Sequence, residues 1–300
     1  VWDVSNPVAP CIVKGTTGSS TFSFKVAGNQ DNEFIAFNGN AYCTAETFGK
    51  VGNQNLHGVR DVDFVILSYE GFVSQAERLK AIHAQLDPDL NVFITTPELV
   101  YNEFSCGAKD VSAIRDFCRM LYHDSSAGRK IKYLLLLGDC SFDYKNRAGT
   151  VDFVPAFESV ASLVMGSTFV TDDYFGFMAA NEGSLDSSLA DIGIGRFPVV
   201  AESEARVMVD KCIAHLENTY AGAWKNVVSI MGDDGDENEH MRYADDVAKR
   251  IAADNPEVEI TKVMWDAYKR ISSTRNNTYP EVIALLKKQM EQGMLVMNYT

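Results

Sequence analysis

The run Tyr133-Leu-Leu-Leu-Leu-Gly138-Asp139-Cys140 constrains the fold of this chain more than any other stretch. Five apolar residues in a row, stopped by Gly-Asp, predict a strand buried on both faces, as in a parallel sheet. Ligands of open parallel sheets sit in the crevice beyond the carboxyl ends of the strands. The segment after the strand is therefore the better place for a site, and it is rich in carboxylates: Asp139, Asp143, then Thr171-Asp172-Asp173-Tyr174. A second apolar strand, Asp191-Ile-Gly-Ile-Gly195-Arg196-Phe197-Pro198, closes the segment.

The same rhythm runs through most of the chain. Strands are expected at 62–68 and 90–95, and helices at 72–86 and 111–122, the latter with Ile114, Phe117, Cys118 and Leu121 on one side. A long helix is expected at 201–220, with Val207, Val209, Ile213 and Leu216 toward a core. The alternation then restarts: strand 226–231, helix 240–252, strand 258–265, helix 280–291, strand 294–299. Strand and helix at these intervals mean right-handed βαβ units and parallel sheets. Residues 1–60 differ, with Gly, Asn, Ser and Thr around short alternating runs that read as antiparallel strands. The expected organisation is a β-rich segment at 1–60, a first α/β subdomain at 61–222, and the start of a second, truncated one at 223–300.

Composition excludes several functions. The chain has 300 residues, 46% hydrophobic and 23% charged, with a net charge of −14. That charge argues against a protein that tracks nucleic-acid phosphates, whose affinity comes mainly from Lys and Arg. No apolar run approaches the ~20 residues that span a bilayer. No G-x-G-x-x-G or Walker loop follows a strand, which counts against an unrelated nucleotide binder. The chain opens on Val-Trp-Asp-Val and stops in an apolar strand, and is expected to be a fragment of a longer protein. Its six cysteines form no C-x-x-C pair and no metal-ligand spacing. Cys118 and Cys212 read as buried thiols on helix faces, and Cys11 and Cys43 could pair.

The candidate residues each have two readings. Asp139 either caps the turn after its strand or lines a site. Asp172 and Asp173 are adjacent like charges, which need a cation or hydrogen-bond donors to balance them; the cation reading makes them calcium ligands together with Asp139. Cys140 lies just past a parallel strand, but a thiol nucleophile needs a lowered pKa and a nearby base. His83, His123 and His215 fall on or near helix faces or ends, far from strand carboxyl ends, and fit that role poorly. The acidic stretch Gly232-Asp233-Asp234-Gly235-Asp236-Glu237-Asn238-Glu239-His240 follows a strand and precedes a helix. Asp234, Asp236 and Asn238 match the first liganding positions of an EF-hand loop, but Glu239 replaces the glycine required at the sixth. Its other readings are an acidic helix start favoured by the macrodipole and a site carboxylate.

Together, Tyr133-Leu-Leu-Leu-Leu-Gly-Asp, Phe153-Val-Pro, Phe169-Val-Thr-Asp-Asp-Tyr-Phe-Gly176, Asp191-Ile-Gly-Ile-Gly-Arg-Phe-Pro198 and Gly293-Met-Leu-Val-Met-Asn-Tyr-Thr300 resemble the gingipain family of cysteine peptidases. Within it they resemble the signal peptidase (sortase) subgroup of the type IX secretion system, the PorU type. Val1-Trp-Asp-Val, Asn53-Gln-Asn-Leu-His57-Gly58 and Tyr101-Asn-Glu-Phe-Ser-Cys-Gly107 fit that subgroup as well. The resemblance implies a caspase-like α/β fold in two subdomains, with a Cys-His dyad on the second. It implies that the catalytic His follows the strand ending Asn-Tyr-Thr, with the nucleophilic Cys one strand later. Both would then lie beyond Thr300, leaving this chain inactive by itself. The catalytic element it would leave here is the His-orienting carboxylate, Asp233 or Asp234, acting as the third member of a triad does. The resemblance further implies calcium, in keeping with Asp139, Asp172 and Asp173, and an extracellular, outer-membrane-associated location. The implied partners are protein or peptide substrates and components of the secretion system. The alternative is a non-enzymatic surface module of the same fold that binds calcium or substrate.

Overall fold

A computed structural model describes all residues of the chain except 29, 30, 40, 41, 45, 48, 126, 127, 160–162, 165, 166, 184–187, 234 and 273–276. The chain divides into two compact units, Val1–Asn53 and Gln54–Thr300. In the first unit two-residue strands pair antiparallel: Trp2–Asp3 lies between Cys11–Ile12 and Phe34–Ile35, and Thr16–Thr17 pairs with Phe22–Ser23. Aromatic contacts among Phe22, Phe24 and Phe34 stand in for a larger core. Cys11 and Cys43 are both free and exposed.

The second unit carries two separate parallel sheets. The first is built from β1 (Phe64–Ser68), β2 (Val92–Thr95), β3 (Tyr133–Leu137) and β4 (Gly193–Phe197), in the order β4-β3-β1-β2. Its pairings are all parallel. The apolar run in β3 divides between two cores, as alternation in a strand requires. Leu134 and Leu136 join Val65 and Leu67 under helices α2 (Pro97–Phe104) and α3 (Val111–His123). Leu135 and Leu137 join Ile66 on the opposite face, under α1 (Val73–Leu86) and α4 (Glu202–Leu216). All four leucines are at most 7% exposed, and each such side chain contributes about 1.5–3 kcal/mol of transfer free energy.

Two local features depart from the pattern read in the sequence. Helix α2 is absent from the expectation, although Thr96 caps it and Pro97 occupies its first turn, a recognisable start signal. Helix α4 ends at Leu216 rather than 220, and Val207 and Leu216 are exposed. Its buried stripe is Ala205 and Val209, continued by the half-buried Cys212. Those positions recur at i, i+4 and i+7, which places them on one face.

The second sheet consists of β5 (Val227–Gly232), β6 (Glu259–Met264) and β7 (Val296–Tyr299), in the order β6-β5-β7 and again parallel. Helix α5 (Glu239–Asp254) packs Ala244 and Ala248 against Val228 and Ile230 on one face. Helix α6 (Pro280–Gln292) covers the other through Val282 and Tyr279, against Met231 and Val263. The connection from β5 to β6 runs to one side, and that from β6 to β7 returns across β5. The strand order therefore reverses between β5 and β7.

Candidate active site

Each sheet has one such reversal, and a crevice opens at the carboxyl end of a parallel sheet where the order reverses. In the first sheet this point lies between β1 and β3, and the chain's own side chains fill it. Tyr69, Phe72 and Phe153 pack ring against ring there. A Cβ on Gly138 would lie 3.0 Å from Phe153 and Val154, so this glycine permits the close approach.

Two of the neighbouring carboxylates, Asp172 and Asp139, accept hydrogen bonds from the chain itself. Arg196 uses all five of its N–H donors: two to the Asp172 carboxylate at 2.6 and 2.8 Å, two from one nitrogen to the carbonyls of Gly138 and Val154, and one to Pro155. Asp139 accepts the backbone N–H of Cys140 at 2.9 Å, while its carbonyl accepts from Phe153 and Val154. Asp173 opens a short 3-10 turn, and its backbone N–H is held by Thr171. Among the described residues no group of three or more His, Cys, Asp or Glu is placed to hold a metal ion. With both Asp172 oxygens bound by a guanidinium, Asp139, Asp172 and Asp173 do not fit a calcium cage.

Cys140 is not set up as a nucleophile. Burial pushes its thiol up, and the carboxylates of Asp139, Asp172 and Asp152 add to that against the opposing pull of Arg196. A nucleophilic thiol requires the opposite shift. Cys118 is buried and pushed up to about 12, and burial raises Cys212 too.

The second reversal point, between β5 and β7, holds polar groups instead of a plug. Strand β5 ends at Gly232, and Asp233 is the first residue past it. A Cβ on Gly232 would lie 2.9 Å from the Met241 Cα, so only glycine lets the first turn of α5 come this close. That approach brings His240 to the carboxylate: Asp233 Oδ1 lies 2.7 Å from His240 Nδ1. From the other strand, the Tyr299 hydroxyl donates to Asp233 Oδ2 at 2.5 Å. Thr300 continues the pairing, donating to the Met231 carbonyl and accepting from the Asp233 N–H. The connecting loop reaches α5 through Glu237 and Asn238, both in the left-handed region at φ 54° and 64°, a conformation costly for side-chain-bearing residues.

The Tyr299 hydroxyl and the His240 ring hold the Asp233 carboxyl below its ordinary range, against a smaller opposing effect of burial. The same contact raises the Tyr299 phenol. Asp233 is thus an ionised, partly exposed carboxylate fixed at the mouth of the sheet, fit to accept an N–H from an imidazole and to stabilise its charged form. Of the two carboxylates expected here, Asp233 is placed at this position, and Asp234 lies outside the described residues. The sequence did not single out Tyr299 or His240. The available signal was a histidine seven residues after a strand-end aspartate and an aromatic at the end of the adjacent strand.

Residues 58–300 match the sequence model of Peptidase family C25. The fold also matches the crystal structure of dimeric latent PorU from Porphyromonas gingivalis, with a TM-score of 0.52 and 33% sequence identity. That match covers 60% of this chain and 18% of the PorU chain. No curated protein matches the sequence.

Proposed function

The chain belongs to peptidase family C25, the gingipain family of cysteine peptidases, and from that premise we propose that it is part of an extracellular cysteine endopeptidase of the PorU kind. Its task is to remove C-terminal secretion signals from cargo of the type IX secretion system, at the cell surface and beside outer-membrane components of that system. The observation that carries this reading is Asp233, an ionised carboxylate at the reversal point of the second sheet in a chain 33% identical to a stretch of PorU.

In this reading Asp233 accepts the Nδ1–H of the catalytic imidazole, keeps its Nε2 facing the thiol, and stabilises the imidazolium formed when the thiol is deprotonated. The nucleophile is none of the six cysteines present. Cys118, Cys140 and Cys212 have raised pKa values. Cys106 is exposed in the turn after α2. On this reading residues 1–300 alone supply the orienting carboxylate and scaffold and do not cleave peptides.

Labelling with a thiol-directed peptidase inactivator, followed by peptide mapping, tests this. The 300-residue chain should show no selective labelling. The catalytically competent protein should be labelled at one cysteine outside this stretch, with loss of activity. Selective labelling of Cys140, with activity lost in Cys140→Ala, would overturn the reading. Neither labelling nor cleavage in any form of the protein would favour the non-enzymatic surface module.

A further inference from the structure

We propose that Tyr299 and His240 are positioning residues for catalysis, which together fix the plane of the Asp233 carboxylate so that its remaining lone pairs face the catalytic imidazole. This rests on the role given to Asp233 above.

The geometry is specific to that role. The two groups come from different elements, Tyr299 from the end of β7 and His240 from the first turn of α5. Each binds a different oxygen of the same carboxylate, at 2.5 and 2.7 Å. A carboxylate bound at one oxygen can still turn about its Cβ–Cγ bond, whereas one held at both cannot. Each oxygen carries two lone pairs, so two donors leave capacity for a third. A carboxylate that only accepts requires His240 to present Nδ1 as N–H, which both the protonated ring and one neutral tautomer do.

The surroundings point the same way. Tyr299 is more than half exposed, so its hydroxyl is not a buried polar group forced to find a partner. It bonds Asp233 although water could satisfy it. The Trp265 ring packs near the Tyr299 ring, at 6.1 Å between centroids, and restrains it from the adjoining face. On the other side, the space left by Gly232 lets α5 deliver His240. Two independent features, a missing side chain and an aromatic contact, therefore converge on one carboxylate at the sheet's reversal point. The pair also keeps Asp233 ionised at lower pH than an ordinary aspartate, as an imidazolium-stabilising group requires.

A double-mutant cycle in the catalytically competent protein tests the assignment. Tyr299→Phe removes only the hydroxyl and should lower kcat about tenfold, the worth of one hydrogen bond to a charged group. KM should change little, and the acid limb of the kcat profile should move to higher pH. His240→Ala should do the same, and His240→Asn, which keeps a donor near the Nδ1 position, should restore part of the loss. In an Asp233→Asn background Tyr299→Phe should have almost no further effect, because its action runs through that carboxylate. Equal losses from Tyr299→Phe with and without Asp233 intact would overturn the inference, as would an unmoved pH profile. If Asp233→Asn abolished turnover while both partner variants kept wild-type kcat, the inference alone would fall. If Asp233→Asn itself kept wild-type kcat, the proposed function would fall with it. In the 300-residue chain, the Asp233 carboxyl carbon should titrate at higher pH in Tyr299→Phe, and an unchanged midpoint would contradict the assignment whatever the variants do to turnover.

Discussion

Arg196 performs the task that the sequence suggested for calcium, and removing it offers a sharp perturbation. The guanidinium side chain is 10% exposed and that of Asp172 is 24% exposed. All five donors are engaged, tying the end of β3, the 153–155 loop and the turn at 172–176 to β4. Arg196→Met keeps the bulk but leaves a carboxylate and three carbonyls without this partner. Breaking a buried pair from one side costs about 3–5 kcal/mol, and partial exposure of Asp172 favours the lower end. For a unit of this size each kcal/mol lowers Tm by about 2–4 °C, so a fall of roughly 6–16 °C is expected in thermal unfolding. Asp172→Asn should cost less, since an amide oxygen still accepts. EDTA or added calcium should leave Tm unchanged in the wild type. An Arg196→Met protein that melts with the wild type, or a wild type destabilised by EDTA, would refute the reasoning.

Other predictions test the rest of the scaffold. Glu103 accepts the backbone N–H groups of Leu56 and His57, the Gln54 amide and the His57 ring. Burial opposes its ionisation but these donors outweigh it, holding the carboxyl at about 2 instead of 4.5. Its contribution is complete above pH 4.5 and is lost as pH falls toward 2. The full linkage of about 3 kcal/mol, discounted for solvent screening, predicts that Glu103→Gln costs about 1–2 kcal/mol at pH 7. In urea titrations the difference from wild type should shrink on acidification through that window, and a pH-independent difference would contradict it. With an aromatic-disulfide thiol reagent, the exposed Cys11, Cys43 and Cys106 should react in the native state, and Cys118 only after unfolding. Gly232→Ala should push α5 off β5 at a cost of about 1–3 kcal/mol, and chemical shifts of His240 should move with it.

The architecture was legible in the sequence because its signals are periodic. An uninterrupted apolar run such as 134–137 has one comfortable environment, and alternating strands and helices leave few topologies. The strands and helices of the second sheet were legible for the same reason, whereas the carboxylate after β5 came from the family resemblance. Side-chain partnerships were not. Asp172 and Asp173 look alike as neighbouring acids, and only the fold brings Arg196, 24 residues away, onto one of them. Charge read without its partner suggested a cation for Asp172, where the fold brings a guanidinium. Tyr299 and Asp233 are 66 residues apart in sequence, and no local pattern links them. His240 reaches Asp233 only because Gly232 has no side chain, which becomes visible once the helix is seen against the strand.

The role of Asp233 is tested most directly by the turnover of Asp233→Asn in the catalytically competent protein, with its fold checked by thermal unfolding. Exchanging the carboxylate for an amide keeps the shape while presenting the wrong group to the imidazole, a change that in a catalytic triad costs about 10⁴-fold in kcat. A fall of several hundredfold or more in kcat is expected, with little change in KM or Tm. Wild-type turnover in this variant would show that the carboxylate at the mouth of the second sheet does not serve the reaction.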